Sequence, residues 1–138
     1  MISYKESKEI SDKDLRALYD ALDWVSYTEQ LLDLQALLTN CQLVYSAWDG
    51  EKLVGLVRTV GDGISIQYVQ DILILPDYQK SGIGKQLLAY VLEKSKDIRQ
   101  VVLMTDTSPE NQYVLDWYKK QGLTSFQESG LEGFWKMA

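Results

Sequence analysis

One stretch decides the fold: Ile72-Leu73-Ile74-Leu75-Pro76-Asp77-Tyr78-Gln79-Lys80-Ser81-Gly82-Ile83-Gly84-Lys85. An apolar run ends at Pro76, a turn containing two glycines follows, and a leucine-rich amphipathic segment continues the chain. This order predicts a strand, a turn and a helix. Several backbone N–H groups of such a turn point at one spot, and the helix adds the positive end of its dipole. The turn is therefore suited to hold a phosphate or pyrophosphate group.

Upstream of that stretch, the pattern predicts two helices followed by three antiparallel strands. Ser11 precedes acidic residues and a leucine stripe, which indicates a capped helix. Asp49-Gly50 and Gly61-Asp62-Gly63 are typical of turns between antiparallel strands. The predicted elements are a helix after Ser11, a helix over residues 28–40, a strand from Cys41 to the first turn, and strands over residues 53–60 and 64–75.

Downstream, an apolar stripe after Gly84 predicts a helix, and residues 101–104 predict a strand parallel to the preceding one. Ser108 and Pro109 begin a last helix, which ends at Gly122. Residues 123–126 and 134–137 read as two short final strands. Residues 1–138 are expected to form one α/β domain. Its sheet is mixed and mostly antiparallel, with about six or seven strands flanked by about four helices.

Composition limits the classes of function. The chain has 138 residues, of which 46% are hydrophobic, and a net charge of -6. Repulsion from a negative chain disfavours nonspecific binding to nucleic acid or to an anionic membrane. The sequence contains no apolar run of roughly 18 residues, and its N-terminal residues lack the apolar core of a signal peptide. We therefore expect a cytoplasmic protein.

Histidine is absent, and the chain has one cysteine, Cys41. Catalysis by a serine–histidine or cysteine–histidine pair and most zinc sites are therefore excluded, and no metal is expected. A single cysteine cannot form an internal disulfide, and Cys41 lies in a strand-like stretch where a buried thiol is the simplest explanation. Acid–base chemistry would fall to carboxylates, tyrosine, lysine or water.

Asp71 interrupts the apolar course of the third strand, where a carboxylate is costly unless it is paired, hydrated or functional. A hairpin centred on Gly61-Asp62 would place Asp71 opposite Lys52 or Leu53. Arg58 would then lie several residues further along the ladder, where it either orients a substrate or belongs to a solvated strand edge. Both explanations stay open at this point.

The glycine turn alone is equally explained by backbone geometry, and it matches neither the GxGxxG nor the GxxxxGK[ST] nucleotide fingerprint. Two motifs together resemble the GCN5-related N-acetyltransferase family. The first is the family signature [QR]xxGxG[AG], which begins a helix after a strand and a proline-containing turn. QKSGIG matches its first six positions at residues 79–84, and Lys85 follows. The second is Asn111 followed by Tyr118 and Gly122 in YKKQGL, with Leu123 replacing the usual phenylalanine. The resemblance extends over essentially the whole chain.

The resemblance implies that the chain uses acetyl-coenzyme A. Gln79 would open a loop whose backbone amides bind the pyrophosphate, namely those of Lys80, Ser81, Gly82, Ile83, Gly84 and Lys85. The preceding strand would pair its backbone with the pantetheine arm at Ile72, Leu73 and Ile74. An N–H near Ile74 would hold the acetyl oxygen as it becomes an oxyanion.

Tyr118 is the general acid that the resemblance implies, because its reference pKa of about 10 keeps it protonated at neutral pH until a thiolate leaves. Asn111 lies almost two helical turns earlier and would flank the cofactor arm. The candidate bases are Asp71 and Asp106, acting directly or through water. Each also has a structural explanation, which is lysine pairing for Asp71 and stabilisation of a helix N-terminus for Asp106.

Trp24 and Tyr27 lie between the first two predicted helices, where the family usually builds its acceptor pocket, and Arg58 is a third candidate for substrate binding. The expected reaction is direct transfer of an acetyl group to a primary amine of a small molecule or peptide, in a ternary complex. The alternative is a noncatalytic acyl-coenzyme A binding or sensing module on the same fold. Phe134 and Trp135 could pack internally or across a homodimer, so the oligomeric state stays open.

Overall fold

The computed structural model describes residues 1–24, 28–29 and 33–138. They form two compact units, Met1–Met104 and Thr105–Ala138. The prediction of a single domain over residues 1–138 stays a prediction. Within the described ranges, no helix has the length and apolar content needed to cross a membrane. The elements of the first unit are β1 (Ile2–Glu6), α1 (Asp12–Ala21), α2 (Leu34–Thr39), β2 (Leu43–Asp49), β3 (Lys52–Gly61), β4 (Ile66–Ile74), α3 (Ile83–Lys94) and β5 (Gln100–Leu103).

The strands of the first unit form one mixed, mostly antiparallel sheet in the order β1-β2-β3-β4-β5. The pairings from β1 to β4 are antiparallel, whereas β4 and β5 are parallel. The predicted succession of strand, turn, helix and parallel strand is therefore confirmed. The sequence pattern did not predict β1, which is a short edge strand ending in Lys5 and Glu6.

The sheet carries a packed layer on each face. Seven consecutive residues of β3, from Leu53 to Thr59, are buried, as expected for a central strand covered on both sides. One apolar cluster joins α1 and α2 to the sheet residues Leu56 and Leu73. A second cluster joins α3 to Val57, Val69 and other residues that point to the opposite face. Strand β4 therefore lies between two cores and contributes side chains to both.

Helices α1 and α2 both begin at a side-chain cap, of which only the Ser11 cap was predicted. The Ser11 hydroxyl accepts the Asp14 backbone N–H at 3.1 Å at the start of α1. The Asp33 carboxylate accepts the Ala36 N–H at 3.1 Å at the start of α2. The helix predicted over residues 28–40 is confirmed for Leu34–Thr39, and residues 30–32 of that prediction lie outside the described residues. Both caps satisfy N–H groups that the helix itself cannot bond.

Three stacked tyrosines attach the edge strand β1 to helix α3. The ring centroids of Tyr45 and Tyr90 are 3.6 Å apart, and those of Tyr4 and Tyr45 are 5.6 Å apart. The Tyr90 hydroxyl donates a hydrogen bond to the Glu6 carboxylate, which raises the pKa of Tyr90 to about 12. Lys94 lies 3.5 Å from the same carboxylate. These contacts hold β1 in place independently of its backbone ladder.

The second unit contains a 3-10 turn over Pro109–Asn111 and helix α4 over Gln112–Lys120. Pro109 occupies the first position of the turn, and Gly122, with a φ of +95°, follows the helix, as predicted. The Ser108 side chain makes no capping hydrogen bond, which corrects the predicted cap. Its hydroxyl donates to Asp106 instead, at 2.8 Å.

The two final strands predicted at residues 123–126 and 134–137 are wrong, because the fully described segment 121–138 contains no strand. Its backbone groups bond locally. The Leu131 N–H donates to the Phe126 carbonyl at 2.7 Å, and the Ser129 N–H donates to the Ser125 and Phe126 carbonyls. Such turns use the N–H and C=O groups that a strand would present to a neighbour. The sheet of the described residues accordingly has five strands rather than six or seven.

Candidate functional site

The glycine loop between β4 and α3 has a backbone that folds back on itself. A 3-10 turn over Pro76–Tyr78 precedes it. Lys80 and Gly82 both adopt left-handed conformations, with φ values of +65° and +90°. The Gln79 side-chain amide donates to the Ile74 carbonyl at 3.1 Å, and the Ser81 hydroxyl donates to the Tyr78 carbonyl. The Gln79 N–H bonds the Pro76 carbonyl, whereas the backbone N–H groups of residues 80–82 are available to another partner.

Helix α3 begins at this loop and supplies further donors. The first hydrogen bond inside the helix runs from the Gln86 N–H to the Gly82 carbonyl at 3.0 Å. The N–H groups of residues 83–85 therefore precede the helical ladder. A Cβ added at Gly82 would meet no atom within 4 Å, whereas one at Gly84 would lie 2.8 Å from Ile74 Cδ1. Open space at Gly82 beside unbonded N–H groups and the positive helix end fits a pyrophosphate.

Strand β4 offers backbone groups beside the loop. Its last residues pair with β3, with Ile72 opposite Val57 and Ile74 opposite Gly55. Its ladder with β5 covers only Ile66 to Val69. On the β5 side, the backbone groups of residues 70–74 are therefore outside that ladder, and an extended amide-containing ligand could pair with them.

Asp71 lies in a buried network that joins β3, β4 and α1. The Arg58 Nε donates to Asp71 Oδ2 at 2.6 Å, and the Tyr19 hydroxyl donates to the same oxygen at 2.7 Å. All three residues are buried, with Asp71 only 2% exposed. Burial is the main cause that raises the pKa of Tyr19, with Asp71 adding to it, so the phenol stays a donor. The predicted partner of Asp71, a lysine, is wrong, because its partner is Arg58.

The register of the β3–β4 hairpin differs from the expected one for an identifiable reason. Arg58 lies directly opposite Asp71, and Gly61 lies opposite Gln67, so the turn is wider than a Gly61-Asp62 centre implies. The Asp62 carboxylate holds this wider turn, because it accepts the N–H groups of residues 64–66 at 2.7–3.2 Å. The Ser65 hydroxyl also donates to this carboxylate. This bond is the largest cause that lowers the pKa of Asp62, and the three N–H groups add to it. The Asp62 carboxylate therefore has a structural role in this turn.

A bulge in β4 completes the change of register. Thr59 pairs with Val69 and Arg58 with Asp71, so Gln70 is the extra residue. Val69 and Ile72, three residues apart, consequently belong to the same apolar cluster beside α3. The bulge thereby turns Asp71 towards Tyr19 on the other face.

The residues predicted to bind the acceptor are described only in part. Tyr27 lies outside the described residues. Trp24 follows α1 and is 38% exposed. Its backbone N–H donates to the Tyr19 carbonyl at 3.0 Å, and the centroids of the Trp24 and Tyr19 rings are 6.3 Å apart. Arg58 is 6% exposed and also approaches the Cys41 sulfur at 3.8 Å, so it is not part of a solvated strand edge. Trp24 is thus an exposed side chain next to the buried network.

Within the second unit, Asn111 and Asp106 hold the segment that precedes α4. The Asn111 side-chain amide donates to the Asp106 carbonyl at 2.5 Å and to the Thr105 hydroxyl at 3.1 Å. The exposed Asp106 carboxylate accepts the Ser108 N–H at 2.9 Å, and its hydrogen bonds with Ser108 lower the pKa of Asp106. Tyr118 lies in α4, next to Trp117, and burial raises its pKa. Its phenol is therefore protonated at neutral pH.

Three side chains of this region were not singled out from the sequence. Tyr19 lies in the sequence among the apolar residues of α1, but a buried phenol needs a polar partner and Asp71 needs a donor. Tyr78 and Asp49 are joined by a hydrogen bond of 2.6 Å between the start of the glycine loop and the β2–β3 turn. A tyrosine between Pro76 and the glycine motif was the available signal, but its partner is 29 residues away in sequence.

Comparisons with known proteins agree with this geometry. The family model described as Acetyltransferase (GNAT) family matches residues 8–123. A protein of Prochlorococcus marinus named uncharacterized N-acetyltransferase ycf52-like is 30% identical over 134 residues, covering 92% of this chain and 72% of that protein. GCN5-related N-acetyltransferase 2, chloroplastic, of Arabidopsis thaliana is 28% identical and is matched over 97% of this chain but 58% of its own length.

A solved structure extends the match to three dimensions. The GNAT family acetyltransferase SP0256 of Streptococcus pneumoniae is 32% identical, with a TM-score of 0.85, and the match covers 100% of this chain and 98% of that chain. The family match spans most of the sequence and includes the glycine loop, Asn111 and Tyr118. The chain therefore belongs to the GNAT family and is an N-acetyltransferase.

Proposed function

We propose that this chain binds acetyl-coenzyme A at the glycine loop and transfers the acetyl group directly to a primary amine of a small molecule or peptide. The family generally uses acetyl-coenzyme A. The observation that carries the proposal is the shape of the loop, in which left-handed Lys80 and Gly82 precede the open N-terminus of α3. A diphosphate is the anion whose two groups match several adjacent N–H donors.

Each part of the cofactor would meet a different part of the first unit. Gln79 opens the loop, and the backbone amides that would bind the pyrophosphate are those of Lys80, Ser81, Gly82, Ile83, Gly84 and Lys85. The pantetheine amides would pair with the backbone of Ile72, Leu73 and Ile74, on the side of β4 that its ladder with β5 leaves open. An N–H near Ile74 would stabilise negative charge on the acetyl oxygen.

Acetyl-coenzyme A, when bound, supplies a thioester that the amine attacks in a ternary complex, without a covalent intermediate on the protein. Tyr118 would donate the proton that the coenzyme A sulfur takes up. Its raised pKa supports this role, because the phenol is protonated before transfer. Asn111 remains a proposed contact of the cofactor arm.

The two candidate bases, Asp71 and Asp106, differ in their exposure to water. Asp106 is exposed and has a lowered pKa, so it is ionised at neutral pH and accessible to water. Asp71 is buried and accepts hydrogen bonds from Arg58 and Tyr19. We therefore propose Asp106, acting through water, as the base that receives the proton of the amine. Asp71 would act at the reaction centre only if water reached it.

The acceptor pocket is proposed at Trp24 and Tyr27. Arg58 would influence it only through the buried network, since its Nε is bonded to Asp71. A net charge of -6 favours a cationic amine as the approaching acceptor. A cytoplasmic location and a homodimer remain proposals for this chain.

Gly82→Ala tests cofactor binding, and Gly130→Ala is the matched control. Both glycines have positive φ, +90° and +74°, and a Cβ at either would meet no atom within 4 Å. Each variant should therefore lose a similar amount of stability, roughly 1–2 kcal/mol. Only Gly82→Ala should weaken coenzyme A binding, by about 10-fold or more in calorimetry, because its methyl group would occupy the space left for the pyrophosphate.

Enzymatic activity is then tested by thiol release from acetyl-coenzyme A with polyamines, aromatic amines, amino sugars, amino acids and peptides. One amine that releases thiol would identify the acceptor class. Equal coenzyme A affinity for both glycine variants would contradict the assignment of the loop. Binding without thiol release from any amine would favour a sensing module over the proposed reaction.

A further inference from the structure

The cofactor loop is tied to a distant turn by one side-chain hydrogen bond. Tyr78 is the last residue of the 3-10 turn and directly precedes the loop. Its hydroxyl donates to Asp49 Oδ2 at 2.6 Å, across 29 residues of sequence. Asp49 ends β2 and begins the turn into β3. The bond therefore connects the loop to the turn between β2 and β3.

Several contacts fix the position of the Tyr78 side chain in this connection. The acceptor is a carboxylate, and hydrogen bonds to charged groups are stronger than neutral ones. The hydrogen bond from Tyr78 is the main cause that lowers the pKa of Asp49, so the carboxylate is ionised at neutral pH. The Lys52 ammonium lies 5.7 Å from the centre of the Tyr78 ring, and the ring packs against the apolar cluster beside α3. The phenol is thus fixed at its ring and at its hydroxyl.

The backbone of Tyr78 passes this constraint to the loop. Its N–H donates to the Leu75 carbonyl at 2.8 Å, and the Leu75 N–H donates to the Val54 carbonyl of β3 at 2.9 Å. Its own carbonyl accepts the Ser81 hydroxyl. Ser81 lies between the two left-handed residues, Lys80 and Gly82. A shift of Tyr78 would therefore move the residue that links both of them.

We propose that Asp49 and Tyr78 are positioning residues that hold the glycine loop in the shape that binds coenzyme A. This inference rests on the proposed function of the loop. Neither side chain needs to touch the cofactor. Loss of their hydrogen bond would let the loop populate other conformations. Binding would then have to order the loop, and this cost in conformational entropy would lower the affinity for the cofactor.

Tyr78→Phe tests the inference, with Tyr90→Phe as the matched control. Both substitutions keep an aromatic ring and remove a hydroxyl that bonds a carboxylate, Asp49 in one case and Glu6 in the other. We expect the Kd for coenzyme A to rise roughly 3- to 10-fold for Tyr78→Phe and to stay unchanged for Tyr90→Phe. With an acceptor amine in hand, the KM for acetyl-coenzyme A should rise by the same factor while kcat stays unchanged.

Asp49→Ala provides a second, independent variant, because alanine has no side-chain acceptor for the Tyr78 hydroxyl. Its effect on affinity should match that of Tyr78→Phe, and the double variant should bind no more weakly than either single one, since all three lack the same bond. Asp49 also lies 3.6 Å from the Met1 amine, so Tyr78→Phe is the cleaner change. Additive losses in the double variant would overturn the proposed coupling.

The failures of the two proposals are distinguishable. Coenzyme A binding by the unsubstituted chain, with equal affinity for Tyr78→Phe and Tyr90→Phe, would overturn the positioning role alone. Absence of coenzyme A binding by the unsubstituted chain would overturn the proposed function and this inference together. A rise in KM accompanied by an equal fall in kcat would also contradict a role confined to the cofactor loop.

Discussion

Asp71→Asn should destabilise the folded chain by about 3–5 kcal/mol, the usual cost of removing one partner of a buried ion pair. The side chains of Arg58 and Asp71 are 7% and 1% exposed, and their atoms Nε and Oδ2 lie 2.6 Å apart. Asparagine has nearly the same volume, so the loss isolates the charge. Domains of this size unfold with about 5–15 kcal/mol, so the variant would lose a large share of its stability.

Urea unfolding followed by tryptophan fluorescence measures this loss directly, since the chain has 4 tryptophans. With a slope of about 1–3 kcal/mol per molar urea, the midpoint should fall by roughly 2 M while the slope stays the same. Glu93→Gln is the matched control. Its partner Lys96 lies at 3.1 Å, but both side chains are more than half exposed, so its loss should stay below about 1 kcal/mol.

A double variant separates the charge pair from general damage to the core. The test is made in a Tyr19→Phe background, which removes the hydroxyl that donates to Asp71. There, Arg58→Met combined with Asp71→Leu removes both charges and should recover much of the stability lost by Asp71→Asn. The reasoning would be refuted by a loss below about 1 kcal/mol for Asp71→Asn, or by a double variant less stable than the single one. A small loss for Asp71→Asn would mean that the carboxylate is hydrated in solution.

Two further predictions concern Asp62 and Tyr118. Because hydrogen bonds lower the folded-state pKa of Asp62, its stabilisation is complete above the unfolded pKa of about 3.9 and is lost as the pH falls below that value. The difference in Tm between the unsubstituted chain and Asp62→Asn should therefore shrink between pH 7 and pH 2.5, and a constant difference would contradict the turn geometry. Tyr118→Phe should lower kcat on the order of 100-fold with little change in coenzyme A affinity, and unchanged turnover would remove Tyr118 from the mechanism.

The strand, loop and helix around the glycine motif were predictable because their signals are local. The apolar run, Pro76 and the glycines are adjacent in sequence, and each restricts the backbone of its own neighbours. The parallel pairing of β5 followed from the crossover that a strand, helix and strand must make. Gly82 adopts a left-handed conformation, which glycine takes up without a steric cost.

The buried network was not predictable in the same way, because it depends on register. A shift of register changes which residues face each other, and the register here depends on three N–H groups that bond the Asp62 carboxylate and on a bulge at Gln70. The spacing of apolar residues predicts neither the hydrogen bonds of Asp62 nor the bulge. The partner of Asp71 was therefore assigned wrongly, although the need for a partner was recognised.

The missed strand β1 and the two wrong C-terminal strands have opposite causes. β1 carries Lys5 and Glu6, which obscure an alternating pattern that pairs Ile2 and Tyr4 with β2. The residues 134–137 have the apolar composition of a strand, but Phe134 is 92% exposed. A strand requires a partner for its backbone as well as suitable side chains, and only the first requirement depends on distant sequence.

The strand order has a consequence for how the chain folds. Strands β2, β3 and β4 are joined by short turns, so their hairpins can close within microseconds. Strands β1 and β5 lie at the edges, and each joins its neighbour only after intervening helices have been brought back to the sheet. Longer closures are slower, which makes the two edges late events. The glycine loop lies inside the closure between β4 and β5, so the site proposed for coenzyme A is expected to form near the end of folding.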